Sequence, residues 1–253
     1  MIQGLYTAAA GMVAVEARQS AIANNIANAS TPGFKRQEPV QLGFYEVFSQ
    51  NLRRPFLFTT DPAPAGGVKI VETFTNTAAG ALRNTENPLH VALQGPGYFA
   101  IDTPNGERYT RDGAFTIDAD GHLATKDGSK VQSISGQPID VSGGTVNIAR
   151  NGSVTVEGSA AGQIRVIEFE EPTRLLRQGD NLYAASEEVL RRSANAADTT
   201  LEQKNLEMSN VNLPQEMTAM MLGLRAYEAN SRVIQALDST IGRLIDQVAM
   251  PQV

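Results

Sequence analysis

Met217-Thr218-Ala219-Met220-Met221-Leu222-Gly223-Leu224-Arg225-Ala226-Tyr227 is the stretch that decides the fold. Met217, Met220, Leu224 and Tyr227 recur at alternating steps of three and four. The rhythm continues through Ser231, Ile234, Ile241, Ile245 and Val248, with Asp238 interrupting it. This is the spacing of one helix face held against a partner over many turns. Asn212 and Gln215 have capping-box spacing, and Pro214 falls in the first turn, where a missing N–H costs nothing. The helix is therefore expected from about Asn212 to Val248, stopped by Met250-Pro251. At ~1.5 Å per residue that is on the order of 50 Å, too long to cover one small domain alone.

The opposite end of the chain repeats the signal. Leu5, Ala8, Met12, Val15, Gln19, Ile22, Ile26 and Ala29 form a second stripe, which predicts a helix over residues 2–29. This helix carries only two charges, Glu16 and Arg18. A polar but nearly uncharged outer face is expected where neighbours cover that face as well. Asn24 and Asn28, four apart, present amides that can donate to and accept from neighbouring backbones. Thr31 is driven out of the α region by Pro32, and Pro32-Gly33 favours a type II turn with Gly33 at positive φ.

Between the stripes the chain changes character. Residues 34–67 combine aromatics with Pro39, Pro55, Pro62 and Pro64, and read as an extended connector with one short helical or strand piece near residues 43–52. Residues 68–190 read as short strands. Phe115-Thr116-Ile117-Asp118-Ala119-Asp120-Gly121-His122-Leu123 aligns with Val146-Asn147-Ile148-Ala149-Arg150-Asn151-Gly152-Ser153-Val154. A similar element, one residue longer, runs from Phe99 through Ile101 and Asn105-Gly106 to Tyr109. Each is an alternating strand, an Asp-Gly or Asn-Gly turn and a second strand, a strong hairpin signal. With 163–169 added, this predicts an antiparallel β domain of roughly eight to ten strands around a shared core. Residues 191–211 form a second connector before the helix at 212–253. The fold class is α+β: long terminal helices over 1–33 and 212–253 that pair as a coiled-coil-like unit, around a central antiparallel all-β domain.

Composition narrows function. The 253 residues have a net charge of −6 and no cysteine. An acidic chain lacks the concentrated basic face that nucleic acid requires, and disulfides and thiolate metal sites are excluded. No run approaches the length of a membrane-spanning helix, so direct membrane insertion is not expected. The apolar stretch from Ala8 to Val15 lacks a basic region before it and is closed by Glu16, so no cleaved signal peptide is expected.

Enzymatic chemistry has no foothold. Asp118-Ala119-Asp120-Gly121 faintly resembles the start of a calcium loop, but the closing bidentate Glu is absent and a hairpin turn explains it. The two histidines, His90 and His122, lack metal-ligand spacing. Glu168 and Glu170 share one strand face as a solvated edge. Gln94-Gly95-Pro96-Gly97 is a turn, and neither a nucleophile elbow nor a phosphate loop is present. No catalytic residue, metal or cofactor is expected.

Asn24-Asn25-Ile26-Ala27-Asn28-Ala29-Ser30-Thr31-Pro32-Gly33-Phe34-Lys35-Arg36 closely resembles the signature that ends the first helix of bacterial flagellar axial proteins. Ser209-Asn210-Val211-Asn212, followed by Glu216-Met217 and Arg225-Ala226-Tyr227-Glu228-Ala229-Asn230-Ser231, looks like the matching C-terminal signature of rod and hook proteins. The central Asn87-Pro88-Leu89-His90-Val91-Ala92-Leu93, Gly97-Tyr98-Phe99 and Tyr109-Thr110-Arg111-Asp112-Gly113-Ala114-Phe115 are similar to that family too. The length is near that of rod proteins, and the Ala29-Ser30-Thr31-Pro32-Gly33-Phe34 version most resembles the proximal-rod branch.

The resemblance implies a structural rod subunit that polymerises through its terminal helices into a drive shaft carrying torque from motor to hook. It implies helices paired in the inner layer of a helical tube, with the β domain outward. The partners it implies are other copies of the chain, other rod proteins and the flagellar type III export apparatus. Export would proceed without signal cleavage, to a rod crossing the periplasm. The expected assembly interface is Leu5, Met12, Val15, Ile22, Asn24, Asn25, Ile26 and Asn28 with Met217, Met220, Leu224, Tyr227, Asn230, Ile234, Ile241 and Ile245. The alternatives are a distal-rod or hook-type axial protein, or a secreted carbohydrate-binding or enzymatic β module that its helices oligomerise.

Overall fold

The computed structural model describes residues 2–42, 69–196 and 199–249. The short element expected near residues 43–52 lies outside the described residues. The chain is α+β, and its contacts divide it into two compact units. One comprises Met1–Ala27, Gln37–Thr75 and Asn212–Val253; the other comprises Asn28–Arg36 and Asn76–Val211. Among the described residues the α-helices are α1 (Ile2–Ala27), the short α2 (Glu187–Arg191) and α3 (Leu213–Ala249).

In the first unit α1 and α3 pack antiparallel. Gly4 lies opposite Leu237, Gly11 opposite the Asn230 amide and Gly223 opposite Gln19. The Gln19 Nε2 donates to the Met220 carbonyl at 2.9 Å. At Gly223 the missing side chain leaves room for the Gln19 carboxamide: a Cβ there would stand 2.8 Å from its amide nitrogen. The start of α3 is capped as its sequence indicates, with the Gln215 N–H donating to Asn212 Oδ1 at 3.3 Å. Gln37–Leu42 pairs antiparallel with Lys69–Thr75 in the same unit.

Helix α1 stops two residues earlier than its apolar period suggests. Asn28 already belongs to a turn: its carbonyl accepts from Thr31 N–H at 3.1 Å, and its side-chain oxygen accepts from the Thr31 hydroxyl at 3.3 Å. A second turn follows, closed by Phe34 N–H to the Thr31 carbonyl at 3.4 Å. Gly33 sits within it at φ 68°, as the third position of a type II turn requires.

The second unit is antiparallel β. Its largest sheet runs Leu176–Arg177, Leu182–Ala184, Gly106–Thr110, Tyr98–Thr103, Lys130–Val131, Leu123–Ala124, Thr116–Ile117, with Val166–Phe169 joining Tyr98–Thr103 to Ser193–Asn195. Val146–Ile148, Ser153–Val156 and Ser159–Gln163 form a separate three-stranded sheet. Two cores lie here. Val91, Phe99, Phe115, Leu123, Val131, Ile139 and Val154 belong to one; Tyr98, Tyr109, Phe169 and Tyr183 belong to the other. Adjacent residues Tyr98 and Phe99 enter different cores because alternate strand positions face opposite sides. Of the apolar positions read from the hairpins, Ile117 is the exception: it is exposed.

The repeated Gly turns share one geometry. In 118–121 the Gly121 N–H returns to the Asp118 carbonyl at 3.1 Å, and Asp118 N–H reaches the His122 carbonyl at 2.9 Å. The same bond pair closes 149–152, 125–128 and 133–136, each ending in a glycine at positive φ. This is the type I turn with a left-handed glycine, the longer relative of the two-residue hairpin.

Candidate assembly surface and the signature segment

The predicted stripe on α3 divides in the structure. Met220, Asn230, Ile234 and Ile241 are half-buried, while Met217, Leu224 and Tyr227 are exposed, Leu224 by 54%. The face toward α1 uses Glu216, Met220, Gly223, Asn230 and Leu237. Those positions are spaced by four, three, seven and seven; Met220 belongs to the apolar stripe and Asn230 to the expected interface, whereas Glu216 and Gly223 carry no apolar signal. Leu213, Met217, Met221 and Leu224 are left as an exposed apolar row along one side of α3. Such a contiguous row marks an interaction surface more often than scattered apolar residues do. On α1, Ile22 is buried and Leu5, Met12, Val15 and Ile26 are half-buried. The side chain of Ile245 lies outside the described residues.

The signature asparagines have separate tasks. Asn24 is exposed and Asn28 shapes the turn after α1. Asn25 is buried, and its carboxamide pairs with one residue of backbone: Nδ2 donates to the Gln37 carbonyl and Oδ1 accepts from Gln37 N–H, both at 2.9 Å. The same Nδ2 reaches Glu216 Oε2 at 3.3 Å, with Glu216 also buried. Asn25 thereby ties the end of α1 to the first turn of α3 and to the following strand, all inside the first unit.

The rest of the signature, 28–36, is built into the β unit. Phe34 is buried under the Arg177 guanidinium, 4.5 Å from its ring centroid, and Arg177 Nη1 donates to the Lys35 carbonyl at 3.1 Å. Lys35, Glu207 and Arg111 form a buried group of two cations around one carboxylate. Lys35 Nζ lies 2.6 Å from Glu207 Oε1 and Arg111 Nη1 lies 3.4 Å from Oε2. Burial lowers the Lys35 pKa, and the neighbouring Glu207 carboxylate opposes that fall. Tyr183, in the adjacent aromatic core, is pushed up to about 12 by burial. Sequence reading placed Lys35 in the signature but gave it no task. The available signal was the Lys35-Arg36 pair, next to Phe34, ending an uncharged run over residues 24–34.

The two histidines are held by local chemistry. His90 bonds Thr85 Oγ1 at 2.8 Å and the Asn87 amide at 3.2 Å. Asp118, Asp120 and His122 gather in one hairpin turn, where a lysine already stands among them: Lys130 Nζ is 3.2 Å from Asp120, 3.6 Å from Asp118 and 3.4 Å from His122 Nδ1. No helix among the described residues is long and apolar enough to cross a membrane.

Comparison with known proteins bears on the same segments. Family models match residues 5–35 as a flagella basal body rod protein, 92–156 as a flagellar hook protein FlgE/F/G D1 domain, and 202–247 as the C-terminal part of flagellar basal body rod FlgEFG proteins. The chain is 34% identical to the flagellar basal-body rod protein FlgG of Buchnera aphidicola subsp. Schizaphis graminum, across 96% of this chain and 99% of that one. The chain belongs to the flagellar basal-body rod protein family. The FlgG of Caulobacter vibrioides is also 34% identical, over 95% and 97% of the two chains, and the FlgF of Rhizobium meliloti is 31% identical over 97% and 98%. This rod-family protein is a structural subunit of the flagellar basal-body rod. All three family models fall on segments described above: α1 with its signature, the β unit, and α3 with the connector before it.

Proposed function

We propose that the subunit polymerises through its terminal helices into a helical tube that carries torque from motor to hook. In this reading α1 and α3 pair as a coiled-coil-like unit, and neighbouring copies cover the faces that remain. The observation that carries it is the exposed row Leu213, Met217, Met221 and Leu224 on α3, beside a face already occupied by α1. A heterologous contact that does not close on itself generates a filament. The interface then includes the exposed Met217, Leu224, Tyr227 and Asn24, with Leu5, Met12, Val15, Ile22, Asn25, Ile26, Asn28, Met220, Asn230, Ile234, Ile241 and Ile245 shaping or joining it. Other rod and hook proteins of the basal body are the neighbours above and below. A place in the proximal segment is supported by the Ala29–Phe34 version of the signature; export through the type III apparatus without signal cleavage, to a periplasm-spanning rod, is supported by membership of the rod family.

Leu224→Asp tests the reading. Leu224 is already 54% exposed in the subunit, so the change costs it about 0.5–1 kcal/mol, mainly helix propensity. Buried against a neighbour, an unpaired carboxylate costs several times more. Cells carrying Leu224→Asp are expected to make the subunit but not swim, and electron microscopy should show basal bodies without a complete rod. Asp120→Glu, in an exposed turn, should leave both unchanged. Normal swimming with complete rods in Leu224→Asp cells would overturn the assembly surface.

A further inference from the structure

The β unit contains both ends of the chain's inner span. Residues 33–36 and 205–210 come together there although Lys35 and Glu207 are 172 positions apart. The Gly33 N–H donates to the Glu207 carbonyl at 2.8 Å, and Met208 N–H donates to the Ala81 carbonyl at 2.8 Å. Glu207 Oε1 accepts from Lys35 Nζ and from Gly80 N–H at 2.8 Å, and Lys35 Nζ also donates to the Ala78 carbonyl at 2.8 Å. Asn210 completes the arrangement with one carboxamide. Its Oδ1 accepts from Arg36 N–H at 2.7 Å, and its Nδ2 donates to the carbonyls of Asn76 and Ala78 at 3.0 Å. The Arg36 carbonyl in turn accepts from Asn76 N–H at 2.9 Å. Three strands of chain, 33–36, 76–81 and 205–210, therefore share one set of bonds.

We propose that Lys35, Glu207 and Asn210 form a two-ended latch, in which residues 33–36 are ordered only when residues 205–210 are in place, and the reverse. The charge arrangement makes it all-or-none. Removing Glu207 strands two buried cations, and removing Lys35 strands a carboxylate whose other charged partner is the more distant Arg111. The chain leaves the β unit for α1 just before this segment and for α3 just after it. A chain with a damaged C-terminal connector thus loses the order of its N-terminal signature as well. This goes beyond the assembly surface, which lies on the terminal helices, and stands independently of it. The competing account is that Arg177 and Asn181 hold 32–35 unaided, through the Lys35 and Pro32 carbonyls at 3.1 and 3.0 Å.

Trypsin separates the two accounts, because it cuts after Lys35 and Arg36. Native full-length protein is digested briefly, and cleavage after Lys35 and Arg36 is measured by mass spectrometry against cleavage after the exposed Arg150. Asn210→Ala is expected to raise cleavage at 35–36 about tenfold, through local opening, with Arg150 unchanged. Glu207→Gln should raise it further, and Lys35→Met should speed amide exchange across 205–210. Unchanged cleavage at 35–36 in Asn210→Ala overturns the latch. A rise at Arg150 equal to that at 35–36 in the same variant also overturns it, because residue 210 then supports the whole unit. If Glu207→Gln unfolds the protein, Asn210→Ala and the exchange measurement decide.

Discussion

Gly113→Ala should be among the most damaging single-methyl additions in the β unit. A Cβ on Gly113 would stand 1.7 Å from the Val91 carbonyl oxygen, 2.8 Å from its carbon and 3.3 Å from the Phe99 ring. Relief demands backbone movement, because the obstruction is another strand and not a flexible side chain. The strand it pushes is buried: Val91 is fully inaccessible, and its N–H donates to the Gly113 carbonyl at 3.0 Å. Stranding that donor costs roughly 1–3 kcal/mol, and overpacking the core adds about 1–3 kcal/mol. A total loss on the order of 2–6 kcal/mol follows, a large share of a typical domain's stability. The control is Gly128→Ala. Gly128 has φ 82° and nothing within 4 Å of its Cβ, so only backbone strain of about 1–2 kcal/mol applies. Urea titrations of the full-length variants, followed by fluorescence of the buried tyrosines Tyr98, Tyr109 and Tyr183, compare the two. If Gly113→Ala loses no more stability than Gly128→Ala, close backbone approach is not what this glycine serves.

Asp112→Asn should stabilise the protein at neutral pH. Burial raises the Asp112 pKa, so its protonated form favours folding below the unfolded value, and that benefit is lost as pH rises through the folded value; Asn keeps the acceptor for Ala114 N–H at 2.9 Å without a charge. The stability gain over wild type, read from urea midpoints, should therefore grow from acid to neutral pH, and a pH-independent difference would refute the assignment. Asn25→Asp should destabilise the helix unit more than Asn25→Ala. It turns a donor into an acceptor against the Gln37 carbonyl at 2.9 Å and Glu216 at 3.3 Å, a loss of roughly 3–5 kcal/mol. Glu216→Gln in the same chain should restore part of it; melting followed by circular dichroism at 222 nm checks both, and equal effects of Asp and Ala would refute it.

What the sequence made legible was what hydrophobic period and turn chemistry encode. Both helices, the Asn212 cap, the Gly33 turn and the hairpins near Asn105, Asp120 and Asn151 follow from local rules. The facing side of α3 was legible only in part: Met220 and Asn230 stand in the expected interface, but Glu216 and Gly223 contribute a hydrogen bond and small size in place of apolar area. Lys35 and Glu207 were equally hidden. A buried ion pair between residues so far apart in the chain leaves no periodic trace, and each partner alone reads as a solvated charge. The extra turns at 125–128 and 133–136 show the same limit at short range. Their geometry equals that of the recognised pair, but the flanking strands are too short to display an alternation.

On the proposed assembly surface, the helices of this rod protein divide stability and assembly between different faces, and the division follows from which residues each face uses. Toward α1, α3 offers Glu216, Met220, Gly223 and Asn230; these fix one register through hydrogen bonds and close approach, since a slip would separate Asn25 from Glu216 and Gln19 from the Met220 carbonyl. The outer row of Leu213, Met217, Met221 and Leu224 has no such bonds. An apolar row tolerates small adjustments of fit, because hydrophobic burial is nearly non-directional. A subunit that meets neighbours in more than one setting is served by directional bonds inside and adaptable contacts outside, and methionine is the most adaptable apolar side chain for that purpose. Substitutions on the inner face should therefore act through the subunit's own folding, while those on the outer row should leave it folded and act at the neighbour.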